Sequence, residues 1–212
     1  MKNLLKIIAV AILLIIVTVS CKKEENKNIP VVTPPEKEWV VINGIKWATR
    51  NVDMPGTFAA KSENAGMFYQ WNKKTGWSGT NPIKNSNGDT KWDSTKADGD
   101  TWAKENDPCP KGWRVPTREE LQNLVSTGSK WITKNGIKGR VFSSGDSTVF
   151  FPAPGFRFDN NGNLRDVGEN GVYWSTTSFD SGNAYYMTFG TMNARTDYDP
   201  RSFGYSVRCV AE

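Results

Sequence analysis

Histidine is missing from all 212 residues of this chain. Its absence removes Ser-His-Asp and Cys-His catalysis together with zinc sites of the H-E-x-x-H type. Cysteine is scarce, at three. Long apolar runs are missing too. The longest is Ile7 to Val17, eleven residues, too short to cross roughly 30 Å of hydrocarbon as a stable helix. Charge of one sign never concentrates beyond Lys73-Lys74, so the footprint of a nucleic-acid binder is missing and no nucleic-acid partner is expected. No internal repeat of fixed period appears. Before Trp39 there is not one aromatic residue; all nine tryptophans, six tyrosines and ten phenylalanines follow from there.

What is present at the start reads as an export signal. Lys2 and Lys6 form a basic n-region, the apolar run follows, and Thr18-Val19-Ser20 places small residues before Cys21. An A-x-A-like site is not there. The segment resembles a lipobox, with Thr18 where leucine is usual. That implies a signal peptide over residues 1–20 and an acylated Cys21 as the first mature residue, its chains held in a lipid bilayer. An ordinary secretory signal, or an uncleaved anchor, with a coincidental cysteine is the alternative. Lys22 is not aspartate, which by resemblance to the sorting rule of two-membrane bacteria points to the outer membrane. Lys23-Glu24-Glu25 looks like the surface-export tag of Bacteroidetes lipoproteins, or simply a solvated linker. Residues 21–38 then form a disordered tether rich in charge and proline. Losing the leader lowers the net charge from +5 to +3.

Residues 39–212 carry enough aromatic area for one domain. With Cys21 lipidated, Cys109 and Cys209 remain for a disulfide in an oxidising compartment, the alternative being two isolated buried thiols. Asn43-Gly44 between Val40-Val41-Ile42 and Ile45-Lys46-Trp47 predicts a hairpin. Thr117 and Glu120 predict a capping box. Leu121, Leu124 and Val125 then follow at helical spacing as far as Gly128. Strands are expected at 149–151, 156–158 with 164–167, 172–177, 184–189, 194–198 and 205–210. Residues 53–106 read as long loops. The class is α+β with more strand than helix.

Two stretches are specific. Cys109-Pro110-Lys111-Gly112-Trp113-Arg114-Val115-Pro116-Thr117 and Gly204-Tyr205-Ser206-Val207-Arg208-Cys209-Val210 resemble the signature of the Fibrobacter succinogenes major paralogous domain. Gly66 to Trp71 and Tyr173 to Thr177 stand in the expected order. Both motifs are also similar to those of formylglycine-generating-enzyme relatives. The resemblance implies a C-type-lectin-like mixed fold, with a twisted antiparallel sheet, few short helices and long loops. It implies no chemistry. The paired reactive cysteines of the formylglycine enzymes are not matched, because Cys109 and Cys209 stand at structural positions.

Trp77, Trp92 and Trp102 sit among polar residues, where an indole can stack on the apolar face of a sugar ring. They are the candidate ligand-binding residues, and for each a pin folded back onto the core is the alternative. Arg114 and Arg208 read as structural arginines paired with carboxylates. Asp89, Asp93, Asp98 and Asp100, and Asp197 with Asp199, offer carboxylate pairs for a hydrolase; turn residues are the plainer reading. No cofactor or metal is expected. The function expected is a surface lipoprotein whose non-enzymatic domain binds a glycan or protein ligand. A glycan-active hydrolase and a structural or assembly lipoprotein are the alternatives.

Overall fold

The computed structural model describes residues 36–212. The expected leader (1–20), Cys21 and most of the expected tether lie outside the described residues. The chain runs β1 (Trp39–Ile42), β2 (Ile45–Ala48), β3 (Phe68–Tyr69), β4 (Gly76–Trp77), β5 (Trp113–Arg114), α1 (Arg118–Ser126), β6 (Ser129–Lys134), β7 (Ile137–Ser144) and β8 (Ser147–Pro152). It continues β9 (Phe156–Arg157), β10 (Leu164–Arg165), β11 (Gly171–Ser178), β12 (Asn183–Phe189), β13 (Ala194–Pro200), β14 (Tyr205–Ser206) and β15 (Val210–Ala211). The architecture is mostly β, with one α-helix among the described residues.

The central sheet has six strands in the order β13-β12-β11-β14-β3-β4, antiparallel except where β14 lies parallel to β11. A four-stranded sheet, β1-β2-β15-β5, and a three-stranded meander, β6-β7-β8, flank it; β9 and β10 pair alone. Strand alternation sends successive side chains to opposite faces. Trp174, Ala184, Tyr186 and Tyr205 fill one side of the central sheet, while Tyr173, Met187 and Phe189 fill the other. That second side receives Leu121 and Leu124 from α1 and Phe142 and Phe151 from the meander. Each buried leucine contributes about 1.5–3 kcal/mol by leaving water.

Local chemistry explains most of these elements. Asn43 and Gly44 both take positive φ, 48° and 81°, as a two-residue turn of type I′ requires, and β1 pairs with β2 across it. In α1 the Thr117 hydroxyl accepts from the Glu120 N–H, and the Glu120 carboxylate accepts from the Thr117 N–H. The same carboxylate receives Arg114 in a bidentate pair at 2.7 and 2.8 Å. Burial works against ionising Glu120, but these partners outweigh it and hold its carboxyl below the usual range.

Four features differ from expectation. The β6–β7 hairpin turns on Asn135-Gly136, the same device as Asn43-Gly44, in a stretch not read as strand. The single strand expected over 205–210 is two, β14 and β15, in different sheets. Between them the chain crosses the core, and Arg208 is fully buried there. Its guanidinium donates to Asn51 Oδ1 and Ala48 O, not to a carboxylate as expected, and lies 4.3 Å from the Phe151 ring. Burial lowers its pKa to about 10. Ordered contacts also begin before Trp39. Thr49 N–H donates to Glu38 O at 2.9 Å, and the Glu36 carboxylate accepts from Ser62 N–H and Lys134 at 2.9 and 2.7 Å.

Candidate ligand-binding surface

The three candidate tryptophans do not form a binding platform, and this corrects the expectation for Trp77 and Trp102. Trp77 lies in β4 opposite Phe68, is 2% exposed and packs on Trp92 with ring centroids 4.8 Å apart. Trp102 is 6% exposed; it meets Trp71 edge-on at 6.1 Å and donates its Nε1–H to Asn106 O. Trp92 is half-buried and donates to Asp159 O at 2.7 Å. The physical reason is shared. A long polar loop can bury few apolar groups of its own, so its indoles are what attach it to the sheet. They are pins.

Four of the six acidic candidates have carboxylates engaged locally. Asp93 accepts from Lys73 at 2.6 Å and from the Thr95 N–H and hydroxyl, so its carboxyl titrates below the usual range despite some burial. Asp89 accepts from Asn85, and Asp199 from the Tyr205 hydroxyl at 2.7 Å. Asp197 accepts from the Tyr198 N–H and faces Arg195 at 3.4 Å. The backbone carbonyls of Asp98 and Asp100 hold Asn72 and Ser178. Among the described residues, no three acidic or cysteine side chains come together as a metal site.

The signature stretch itself borders a cleft of about 840 Å³. Trp102 and Trp113 wall it, Lys74, Lys104 and Lys111 rim it, and Asp107 and Glu212 face it. Asp107 accepts the N–H groups of Cys109 and Val115 at 2.8 and 3.0 Å and so holds both ends of the loop. Burial, aided by the nearby Glu212 charge, raises its pKa. Cys109, at the same cleft, is disulfide-bonded to Cys209, with Cα atoms 6.1 Å apart.

Exposed aromatic surface lies elsewhere, at the end of β12 and β13 beside the N-terminus of α1. Phe179 and Tyr198 are 43% and 45% exposed and stack in parallel, centroids 3.7 Å apart and planes 8° apart. Tyr185, the cross-strand partner of Tyr198, meets both rings edge-on. The Arg118 guanidinium covers Tyr185 at 3.9 Å; its Nε is buried without a hydrogen-bond partner among the described residues. Phe179 is held by the turn that follows it. Asp180 accepts from Gly182 and Asn183, and the buried Arg201 donates to Asp180 O. This group was missed in the sequence because Phe179 precedes an Asp-Ser-Gly turn and reads as a loop residue. The available signal was the run of Tyr185 and Tyr198 at outward strand positions.

The sequence profile of the Lcl C-terminal domain matches residues 61–211. The chain belongs to the Lcl C-terminal domain family. Both signature stretches, the Phe179–Tyr198 pair and every residue named at the cleft except Glu212 fall inside the matched Lcl region. No curated protein and no solved structure shows significant similarity to the chain.

Proposed function

We propose that this Lcl-family chain is a lipid-anchored surface protein whose domain binds a glycan through the Phe179–Tyr198 pair. The observation that carries the reading is that pair: two large rings, each more than two-fifths exposed, held rigidly on a strand and a fastened turn. Apolar surface of this kind, left open where a core could have covered it, is what the less polar face of a sugar ring stacks against. Arg118 and the hydroxyls of Tyr185 and Tyr198 supply donors beside it. A protein ligand presenting an apolar side chain is the other occupant this surface would take. The resemblance to the Fibrobacter succinogenes major paralogous domain and to C-type-lectin-like folds supports the same reading. The helix α1 laid on a mostly antiparallel sheet with long loops is compatible with that fold. A glycan array probed with wild type and with Phe179→Ala tests it. Retention by wild type and loss in the variant is expected.

The address rests on Cys21 and the residues after it. Cys21→Ala is expected to abolish labelled-palmitate incorporation and membrane retention; label entering the variant at wild-type level refutes the anchor.

One observation favours a hydrolase as the second reading: Asp107 with its raised pKa and Glu212 share the cleft. A carboxyl whose pKa is raised, beside a second carboxylate, is how a glycosidase is equipped. Both Asp107 oxygens already hold backbone N–H groups, and this fits a loop clamp better. Hydrolysis of an array glycan by wild type and not by Asp107→Asn would reverse the order of the two readings.

A further inference from the structure

The outer face of the β1-β2-β15-β5 sheet has no role in the reading above. Its inner face is filled: Ile42, Trp47 and Val210 lie in the core. Alternation turns Trp39 and Val41 outward, and both remain exposed, at 45% and 43%. Lys46, on the next strand, places its ammonium 4.2 Å from the Trp39 ring and 5.6 Å from the Trp113 ring. Trp113 is also a wall of the cleft rimmed by Lys111, so this face runs without a break from Trp39 to the cleft. Among the described residues, neither Lys46 nor Lys111 has a carboxylate partner. The acids that border it are Glu38, beside Trp39, and Asp107 and Glu212 of the cleft. Asp107 is clamped to backbone and Glu212 lies 3.7 Å from Lys104, leaving an excess of positive charge.

We propose that this face docks on the anionic headgroup surface of the membrane to which Cys21 is anchored. Three things on the molecule point to that occupant. Its chemistry is that of a membrane interface: indoles take the boundary between headgroup and acyl chain, and lysines reach the phosphates beyond. Its charge is complementary to anionic lipid. Its position follows from the chain, since Trp39 lies three residues from Glu36, the first described residue. From Cys21 to Glu36 is fifteen residues, which even fully extended reach only about 50 Å. The face is therefore confined to the neighbourhood of the bilayer, and a weak contact suffices to hold it there. The Phe179–Tyr198 surface belongs to other strands, β12 and β13, and the turn after β11.

The proposal rests on the anchor for its biological setting, but the face can be tested without it. The mature chain carrying Cys21→Ser is mixed with vesicles of phosphatidylglycerol and phosphatidylcholine, or of phosphatidylcholine alone, and vesicle-bound protein is measured by flotation. Binding to the anionic vesicles is expected. Lys46→Glu and Lys111→Glu should each weaken it by about fivefold or more, as expected for one basic residue at an anionic surface. Both are surface changes that leave the core intact. Lipid brominated near the headgroup should quench tryptophan fluorescence less in Trp39→Phe than in the parent. Equal binding to both vesicle types, or quenching unchanged in Trp39→Phe, overturns the proposal. So does a face that binds a soluble polyanion but no vesicle. Palmitate labelling of the unaltered chain reports on the anchor separately, so failure of one is not failure of the other.

Discussion

Removing the bridge between Cys109 and Cys209 is the most quantitative test of the fold. The two cysteines are 100 positions apart in sequence, and their Cα atoms lie 6.1 Å apart. Cross-linking a loop of that length removes freedom from the unfolded chain worth about 4.7 kcal/mol on the chain-entropy argument. In the folded domain the bridge joins the loop before β5 to the residue before β15, two strands already hydrogen-bonded to each other. The folded state therefore gains little extra order from it, and almost the whole effect falls on the unfolded state. Cys109→Ala with Cys209→Ala is expected to lower stability by about 3–5 kcal/mol. For a domain of this size that is a fall in Tm of roughly 6–20 °C. Guanidinium unfolding should also show a steeper dependence on denaturant in the variant, because its unfolded chain is more open. A loss below about 1 kcal/mol, or two free thiols in native protein made in an oxidising compartment, would refute this account.

Thr117→Ala removes the hydroxyl that accepts from Glu120 and should cost about 1 kcal/mol in thermal unfolding. The Glu120 carboxyl is held below its ordinary 4.5, so its pairing stabilises the fold above that pH and is lost as pH falls through the lowered value. Glu120→Gln should accordingly flatten the acid limb of a stability-against-pH curve below about 4.5, and an unchanged acid limb would count against the pairing. Gly155→Ala should be severe: φ is +73°, and a Cβ would stand 1.9 Å from Arg165 O. Poor yield or a Tm lowered by more than 10 °C is expected there, on the order of 3 kcal/mol or more for a domain of this size.

Much of the fold was legible wherever a short motif carries its own geometry. Asn43-Gly44 and the Thr117–Glu120 box act over four residues, and both formed as read. Asn135-Gly136 carries the same information as Asn43-Gly44. It went unread because Ser129–Lys134 and Ile137–Ser144 lack a clean apolar alternation in sequence. Segments 205–210 failed differently. An unbroken β-type run cannot reveal that Val207-Arg208-Cys209 leaves one sheet for another, because tertiary pairing decides it. The candidate site was the least legible part. Whether an indole in a polar loop faces water or the core depends on what the loop lands on. Trp77 and Trp102 landed on Trp92 and Trp71, while Phe179, in an unremarkable turn, was left open.

The central claim is that the exposed Phe179–Tyr198 pair is where ligand is held. Its most direct test is a calorimetric titration of a glycan selected on the array into wild type, Phe179→Ala and Tyr198→Ala. Both rings are exposed, so both variants should keep the wild-type Tm within a few degrees. Losing one face of the stack is expected to weaken binding about tenfold, equivalent to about 1.4 kcal/mol. Wild-type affinity in both folded variants, or no glycan bound by the wild type at all, would contradict the claim.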